Sequence, residues 1–181
     1  GKPKDPVKLI CRDSRGKVIF EKALPPNILR QDISFTLPGR KGSSFTLEIS
    51  DSFSGDWSMD TSSQAVYAVA MPSDGIAIAH NGLHRLFIEV PAKKEALITY
   101  AGSHVGEWSI DVHDQGKTFS RSATALIISL RQFREDAARI KLPSMPQKRI
   151  VAIDCFSTTD ARIHVSNCHL LSADQKFFTV R

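Results

Sequence analysis

The 181-residue sequence lacks a long apolar segment. Its longest apolar runs, such as residues 123–130, are shorter than the roughly 20 residues that a membrane-spanning helix needs. The N-terminus also lacks the charged and then apolar stretch of a targeting segment. With 41% hydrophobic and 24% charged residues, the composition is typical of globular proteins and excludes collagen-like, coiled-coil and disordered chains. We therefore expect a packed protein with no membrane anchor.

Common catalytic and metal-binding motifs are also missing. The sequence contains no Gly-x-Ser-x-Gly, no His-Glu-x-x-His, no Cys-x-x-Cys and no glycine-rich loop that leads into a helix. The sequence therefore lacks the usual signatures of serine hydrolases, zinc proteases, zinc ribbons and nucleotide-binding proteins. Paired carboxylates that meet only in space leave no such signature, so a small hydrolase or lyase stays an open alternative. The sequence itself predicts no catalytic residue.

Cysteine is scarce, with only three residues in the chain. Cys11 alternates with Val7 and Leu9 in a strand-like segment, which predicts a buried thiol. Cys155 and Cys168 lie on neighbouring predicted strands, where they could form a disulfide in a secreted protein. The sequence does not decide between this bridge and three buried thiols.

Positive charge is absent from one segment of an otherwise basic chain. The net charge is +5, yet residues 42–84 contain no Lys or Arg and five Asp or Glu. The basic flanks indicate either a surface that attracts an anionic polymer or a charge that only keeps the protein soluble. Aromatic residues do not interleave with the basic ones as in single-strand binders, which disfavours nucleic acid as a partner. Any anionic ligand is expected to bind outside the acidic middle segment.

Most of the sequence consists of short segments in which apolar residues alternate with polar ones. Such segments recur about every 10–12 residues between turn residues, a spacing typical of a β-sandwich. The predicted strands are residues 7–12, 17–20, 33–37, 45–49, 56–60, 65–70, 85–90, 96–100, 107–112, 123–130, 149–156, 162–168 and 176–180. At most one short helix is predicted, near residues 131–140. We therefore expect an all-β, jelly-roll-like antiparallel β-sandwich.

The chain is expected to be one β-sandwich domain over residues 1–181, excised from a larger protein. An internal similarity keeps a second organisation open, because residues 52–60 align with residues 103–111 as strand, glycine turn and tryptophan strand. Two small β-domains, at about 1–72 and 83–181, would produce this similarity, as would two similar hairpins in one sandwich.

Aromatic side chains and a histidine are the candidate ligand-binding residues, because a flat ring exposed on a β-sheet can stack on a sugar. The candidates are Phe53, Trp57, Tyr67, His104 and Trp108. Phe53 and His104 lie at the tips of predicted hairpins and are expected to be exposed. The strand alternation places Trp57 and Trp108 on the same faces as Met59 and Ile110, so a core position is preferred for both tryptophans.

Carboxylates near the same hairpins are candidate ligands for a calcium ion. Asp51, Asp111 and Asp114 are these candidates, although they lack the spacing of an EF-hand loop. Isolated surface carboxylates are the alternative interpretation. A structural calcium ion is the only cofactor that the sequence suggests.

The last third of the chain resembles a known group of domains. Residues 124–133, 149–154 and 162–170 resemble the closing strands of jelly-roll modules in the galactose-binding-like group. Ser166-Asn167 stands where these modules have an acidic residue followed by Asn, which is a departure from the pattern. Many members are carbohydrate-binding modules attached to secreted glycan-degrading enzymes.

This resemblance implies a noncatalytic module, secreted or at the cell surface. The implied partners are an oligosaccharide or polysaccharide, neutral or anionic, and a neighbouring domain of the parent protein. An immunoglobulin-like domain that binds a protein through its sheet edges or hairpin tips is the second hypothesis.

Overall fold

The computed structural model describes residues 6–25, 31–39, 42–50, 66–71, 75–78, 82–102, 106–125 and 137–179. The chain divides into two compact units, Gly1–Asp60 and Thr61–Arg181. In the described residues, the regular structure of both units is antiparallel sheet, with one short helix in the second unit. Among the described residues, no helix is long and apolar enough to cross a membrane.

The first unit contains a three-stranded sheet with the strand order β2–β1–β3. Its strands are β1 (Val7–Asp13), β2 (Val18–Leu24) and β3 (Phe45–Ser50). β1 and β2 form the predicted hairpin, and Gly16 takes a φ of 79° in its turn. The Asp13 side chain accepts hydrogen bonds from the backbone N–H groups of Arg15 and Lys17, which fixes the turn.

The strand predicted at residues 33–37 is wrong, because residues 31–39 form no regular structure. The ring of Phe35 instead stacks on Phe20 of β2, with 4.2 Å between the ring centroids. Stacking on Phe20 therefore holds the Phe35 ring, although the segment around it forms no strand. Residues 52–60, the first half of the internal similarity, lie outside the described residues, so the similarity stays a prediction.

The described residues of the second unit form ten strands and one helix. They are β4 (Val69–Ala70), β5 (Ile76–Ile78), β6 (Gly82–Val90), β7 (Ala96–Gly102), β8 (Gly106–Asp114), β9 (Lys117–Ala125), β10 (Ala138–Leu142), β11 (Arg149–Ser157), β12 (Ala161–Val165), β13 (Leu170–Ser172) and α1 (Lys176–Thr179). A four-stranded sheet has the order β10–β7–β12–β5. A six-stranded sheet has the order β4–β13–β6–β11–β8–β9.

Buried and outward side chains alternate along the strands, and the buried sides of the two sheets pack against each other. In β11 every second residue from Arg149 to Ser157 is buried, and the residues between them are only partly covered. Ile110 and Ile153 of the six-stranded sheet share one core with Ile98 and Ile163 of the four-stranded sheet. Burial of one face of each sheet drives this packing. The structure thus confirms the predicted all-β antiparallel sandwich.

The helix expected near residues 131–140 is corrected where the structure describes this segment. Residues 138–142 form β10, in which exposed Arg139 and Lys141 alternate with buried neighbours. Ile140 pairs with Ile98 of β7 in an antiparallel ladder. Pairing with β7 and the burial of every second residue therefore decide the structure here, although the spacing of apolar residues within the segment also fits a helix. The rest of this segment, residues 131–136, lies outside the described residues.

The strand predicted at residues 176–180 is also corrected, because Lys176–Thr179 forms α1. The Asp174 side chain accepts a hydrogen bond from the backbone N–H of Lys176, as a residue at a helix start commonly does. Phe178 is buried on the helix. Capping and burial of one ring thus favour a helical turn over an extended segment.

All three cysteines are free and buried, so the disulfide considered for Cys155 and Cys168 is not formed. Burial raises the pKa of Cys155 to about 12 and that of Cys168 to about 11. Burial also raises the pKa of Cys11. Because the thiolate is the reactive form, these thiols are expected to be unreactive in the folded protein.

We expect 5,5′-dithiobis(2-nitrobenzoic acid) to react with none of the three thiols in the native protein and with all three in denaturant. The assay is read by absorbance without added reductant. Fewer than three reactive thiols in denaturant would reveal a disulfide and contradict the structure.

Candidate functional site

The outward side of the six-stranded sheet carries a cluster of polar side chains on four adjacent strands, β6, β11, β8 and β9. The strand register aligns Arg85, Asp154, Asp111 and Ser120 in one row across these strands. We call this surface the polar face, and its residues are Arg85, Ser109, Asp111, His113, Thr118, Ser120, Ser122 and Asp154. The polar face thus lies on the side of the sheet opposite the core.

A chain of hydrogen bonds crosses the polar face. Arg85 donates from Nε to Oδ1 of Asp154 at 2.6 Å and from Nη2 to Oδ2 at 2.5 Å. The Nε2 atom of His113 lies 3.0 Å from Asp154 Oδ2, and its Nδ1 atom lies 3.1 Å from Thr118 Oγ1. A neutral ring with its proton on Nε2 donates to Asp154 and accepts from Thr118. These contacts link all four strands and fix the side chains in place.

The contacts of Asp154 also set its charge. The hydrogen bonds from Arg85 lower the pKa of Asp154, and His113 lowers it further, while partial burial acts in the opposite direction. The same carboxylate raises the pKa of Arg85. Asp154 is therefore ionised at neutral pH, and its pair with Arg85 is bidentate.

We expect the network to lose its stabilising effect in acid. Because folding lowers the pKa of Asp154 from about 3.8, its contribution is complete above that value and disappears as pH falls through the lower folded pKa. Urea unfolding between about pH 6 and pH 2, which spans the ordinary carboxyl pKa of about 4, should show wild-type protein more stable than Asp154→Asn at the upper end. The two proteins should converge at the lower end. A difference that persists in acid would contradict this assignment.

A shallow depression of about 380 Å³ lies beside the network. It is lined by Ser109, Asp111, Ser120, Arg121 and Ser122. The three serines offer hydroxyls, and Asp111 offers a carboxylate, within one small surface. Arg121 lies opposite buried Ile110 in the register, and its guanidinium donates a hydrogen bond to the backbone carbonyl of Ser120 at the edge of the depression. The depression thus presents both hydrogen-bond donors and acceptors to a ligand.

The order carboxylate, imidazole and hydroxyl in this network is also that of a nucleophilic catalytic centre. Here, however, Arg85 contacts both oxygens of Asp154, so the carboxylate charge is shared with a guanidinium. Thr118 is exposed on the sheet surface, where water is not excluded from its hydroxyl. The arrangement therefore suits binding by hydrogen bonds better than catalysis.

The structure describes two of the candidate ligand-binding residues, Trp108 and Tyr67, and places both away from the polar face. Trp108 is 4% exposed and packs edge-to-face on Tyr100, with 5.8 Å between ring centroids, as the strand alternation predicts. Its ring has no face open to a sugar. Tyr67 is 38% exposed, but it lies beside β13, where its backbone carbonyl accepts a hydrogen bond from Ser172. Neither ring belongs to the polar face.

The other candidates from the sequence, Phe53, Trp57, His104 and Asp51, lie outside the described residues. Asp111 belongs to the depression on the polar face. In the described part of the chain, no group of three or more His, Cys, Asp or Glu residues is placed to hold a metal ion.

Asp114 is not available as the calcium ligand that the sequence suggested. Arg149 donates from Nε to both of its carboxylate oxygens, at 2.9 Å and 3.0 Å. Both side chains are only 5% exposed, and Arg149 Nη2 also donates to the carbonyl of Pro143. The carboxylate of Asp114 therefore balances a buried guanidinium.

We expect Asp114→Asn to lower the free energy of unfolding by about 3–5 kcal/mol, because it leaves the Arg149 charge buried without a counterion. Lys148→Ala breaks the exposed pair with Glu89 and should cost about 0–1 kcal/mol as the control. Urea denaturation measures both values. Equal, small losses would show that the buried pair does not stabilise the fold.

Sequence reasoning missed most of the polar face. Ser109, Asp111 and His113 occur at every second position, alternating with Ile110 and Val112, which is a visible signal for a polar row. The partners on β6 and β11 give no such signal, because they come from distant parts of the chain. Only the strand register brings these residues to the same surface.

Comparison with known proteins adds no family assignment. The chain matches no protein-family model and no curated protein. The resemblance to galactose-binding-like modules therefore stays a prediction, and the polar face is the basis for assigning a function.

Proposed function

We propose that the chain is a noncatalytic carbohydrate-binding or accessory β-sandwich module of a larger secreted glycan-processing protein, and that the polar face binds the sugar. The observation that carries this proposal is the hydroxyl-lined depression beside Asp111 and Arg121. Each sugar hydroxyl can donate one hydrogen bond and accept others. A surface that combines carboxylate and serine groups can satisfy both roles at neighbouring sugar hydroxyls.

The polar face is also rigid, which favours binding. Its residues lie on strands of the six-stranded sheet rather than on loops, and the contacts among Arg85, Asp154, His113 and Thr118 link neighbouring strands. A ligand then orders few side chains when it binds, so less conformational entropy is lost.

Apolar groups adjoin the hydroxyls, as a sugar with C–H surfaces requires. The register places Leu83, Phe156 and Ser109 in one row, and Leu83 is 73% exposed. Phe156 is half-buried between them. This row offers a partly exposed apolar strip directly beside the depression, on which the apolar side of a ring can rest.

We expect wild-type protein to be retained by at least one neutral glycan in affinity electrophoresis or on a glycan array. The double substitution Asp111→Asn with Ser120→Ala should weaken binding by about tenfold or more, because each lost hydrogen bond is worth roughly 1 kcal/mol. Glu95→Gln, an exposed carboxylate that pairs with Lys141 outside the polar face, is the control and should bind like wild type.

Retention by no glycan would overturn the proposal and favour the protein-interaction alternative. Glycan binding that the double substitution leaves unchanged would show that the polar face is not the site.

A further inference from the structure

The two sheets of the second unit differ in charge. β5, β7, β10 and β12, which form the four-stranded sheet, contain no Asp or Glu. Arg139 and Lys141 alternate with buried residues along β10, and Arg162 and His164 do so along β12. These four residues define the basic face, the side of this sheet that points away from the core. The outward side of this sheet thus carries cations and no carboxylate on its strands.

The strand register sets the spacing of the basic face. Arg139 and His164 both lie opposite Thr99 of β7, one on each side, and Lys141 lies opposite Leu97. With neighbouring strands about 4.8 Å apart, Arg139 and His164 are separated by roughly 10 Å at their backbones. Lys141 follows Arg139 by about 7 Å along β10. This spacing suits an extended ligand with repeated negative charges.

In the described turns beside the basic face, acidic residues are fewer than the cations of the face. Glu95, just before β7, contacts Lys141 at 2.9 Å, and both side chains are largely exposed. An exposed pair of this kind is weak, so an incoming anion can replace the carboxylate. Lys93 and Lys94 are exposed in the same turn, while Asp160 precedes β12. Together, the four strands and the described turns at residues 91–95 and 158–160 therefore keep an excess of positive charge.

The opposite sheet provides the contrast. Its outward side carries Glu89, Glu107, Asp111 and Asp154, which offset its basic residues. A charge that only kept the protein soluble would be expected to mix both signs on both sides. The uneven distribution favours a basic face that has a specific anionic partner.

We propose that the basic face binds an anionic polysaccharide, sulfated or uronic, at a surface separate from the polar face. Charge complementarity supports an anionic polymer. The outward residues of β5, β7, β10 and β12 include no Phe, Tyr or Trp, since Tyr100 is buried. Unpaired nucleic-acid bases therefore find only the small ring of His164 on which to stack, which favours a polysaccharide. Binding here does not require the polar face to bind a sugar.

Binding to heparin at varied salt tests the proposal, with size-matched dextran as the neutral polymer. Wild-type protein should bind heparin, with an affinity that falls steeply as salt rises. The triple substitution Arg139→Gln, Lys141→Gln and Arg162→Gln should weaken binding about a hundredfold, from roughly a factor of five for each cation near an anionic surface. Arg139→Lys with Arg162→Lys keeps the charge and should retain binding.

The matched control removes the same charge elsewhere, by Lys117→Gln, Lys148→Gln and Lys176→Gln, and should bind within about twofold of wild type, since these lysines lie outside the basic face. An equal loss in this control would show that only net charge matters and overturn the proposal. The proposal also fails if wild-type protein does not bind heparin at low salt, or binds single-stranded DNA more tightly.

Neutral-glycan binding by the triple substitution, measured in parallel, reports on the polar face alone and separates the two proposals. Thermal unfolding of every variant confirms that it is folded.

Discussion

A buried ion pair between Arg149 and Asp114 holds two neighbouring strands of the six-stranded sheet, β11 and β8, in register. Side chains alternate along a strand, so a slip by one residue would carry the guanidinium to the outside of the sheet and leave the carboxylate without its partner. The same slip would turn Asp154 towards the core and Ile153 towards solvent. The polar face depends on this register, because its residues on β6, β11, β8 and β9 meet only when the strands align.

The alternation that builds the core also gives the second unit two different outer surfaces. The six-stranded sheet carries carboxylates, cations and hydroxyls that contact one another across the strands, as Asp154 does with Arg85 and His113. The four-stranded sheet carries cations without carboxylates on its strands. Net charge therefore describes this protein poorly, since the sign of the charge changes from one side of the sandwich to the other.

Local patterns predicted the parts of the fold that depend on alternation within one strand. They indicated antiparallel strands, the hairpin of β1 and β2, and the core position of Trp108. They failed where a contact distant in sequence decides, as at β10, whose pairing with β7 replaced an expected helix. The strands β5 and β13 have three residues each, too few to show a period. The pair of Arg85 and Asp154 joins residues 69 positions apart, so only the register of β6 and β11 reveals it.

The strand β9 is nine residues long and ends the strand order of the six-stranded sheet as described. A long strand at the border of a sheet can pair with a second copy of itself and start aggregation. If two copies of β9 paired antiparallel about their midpoint, the two Arg121 residues would lie opposite each other, and their like charges would repel. The charge of Arg121 thus disfavours self-association of the protein along β9, in addition to the place of this residue at the depression.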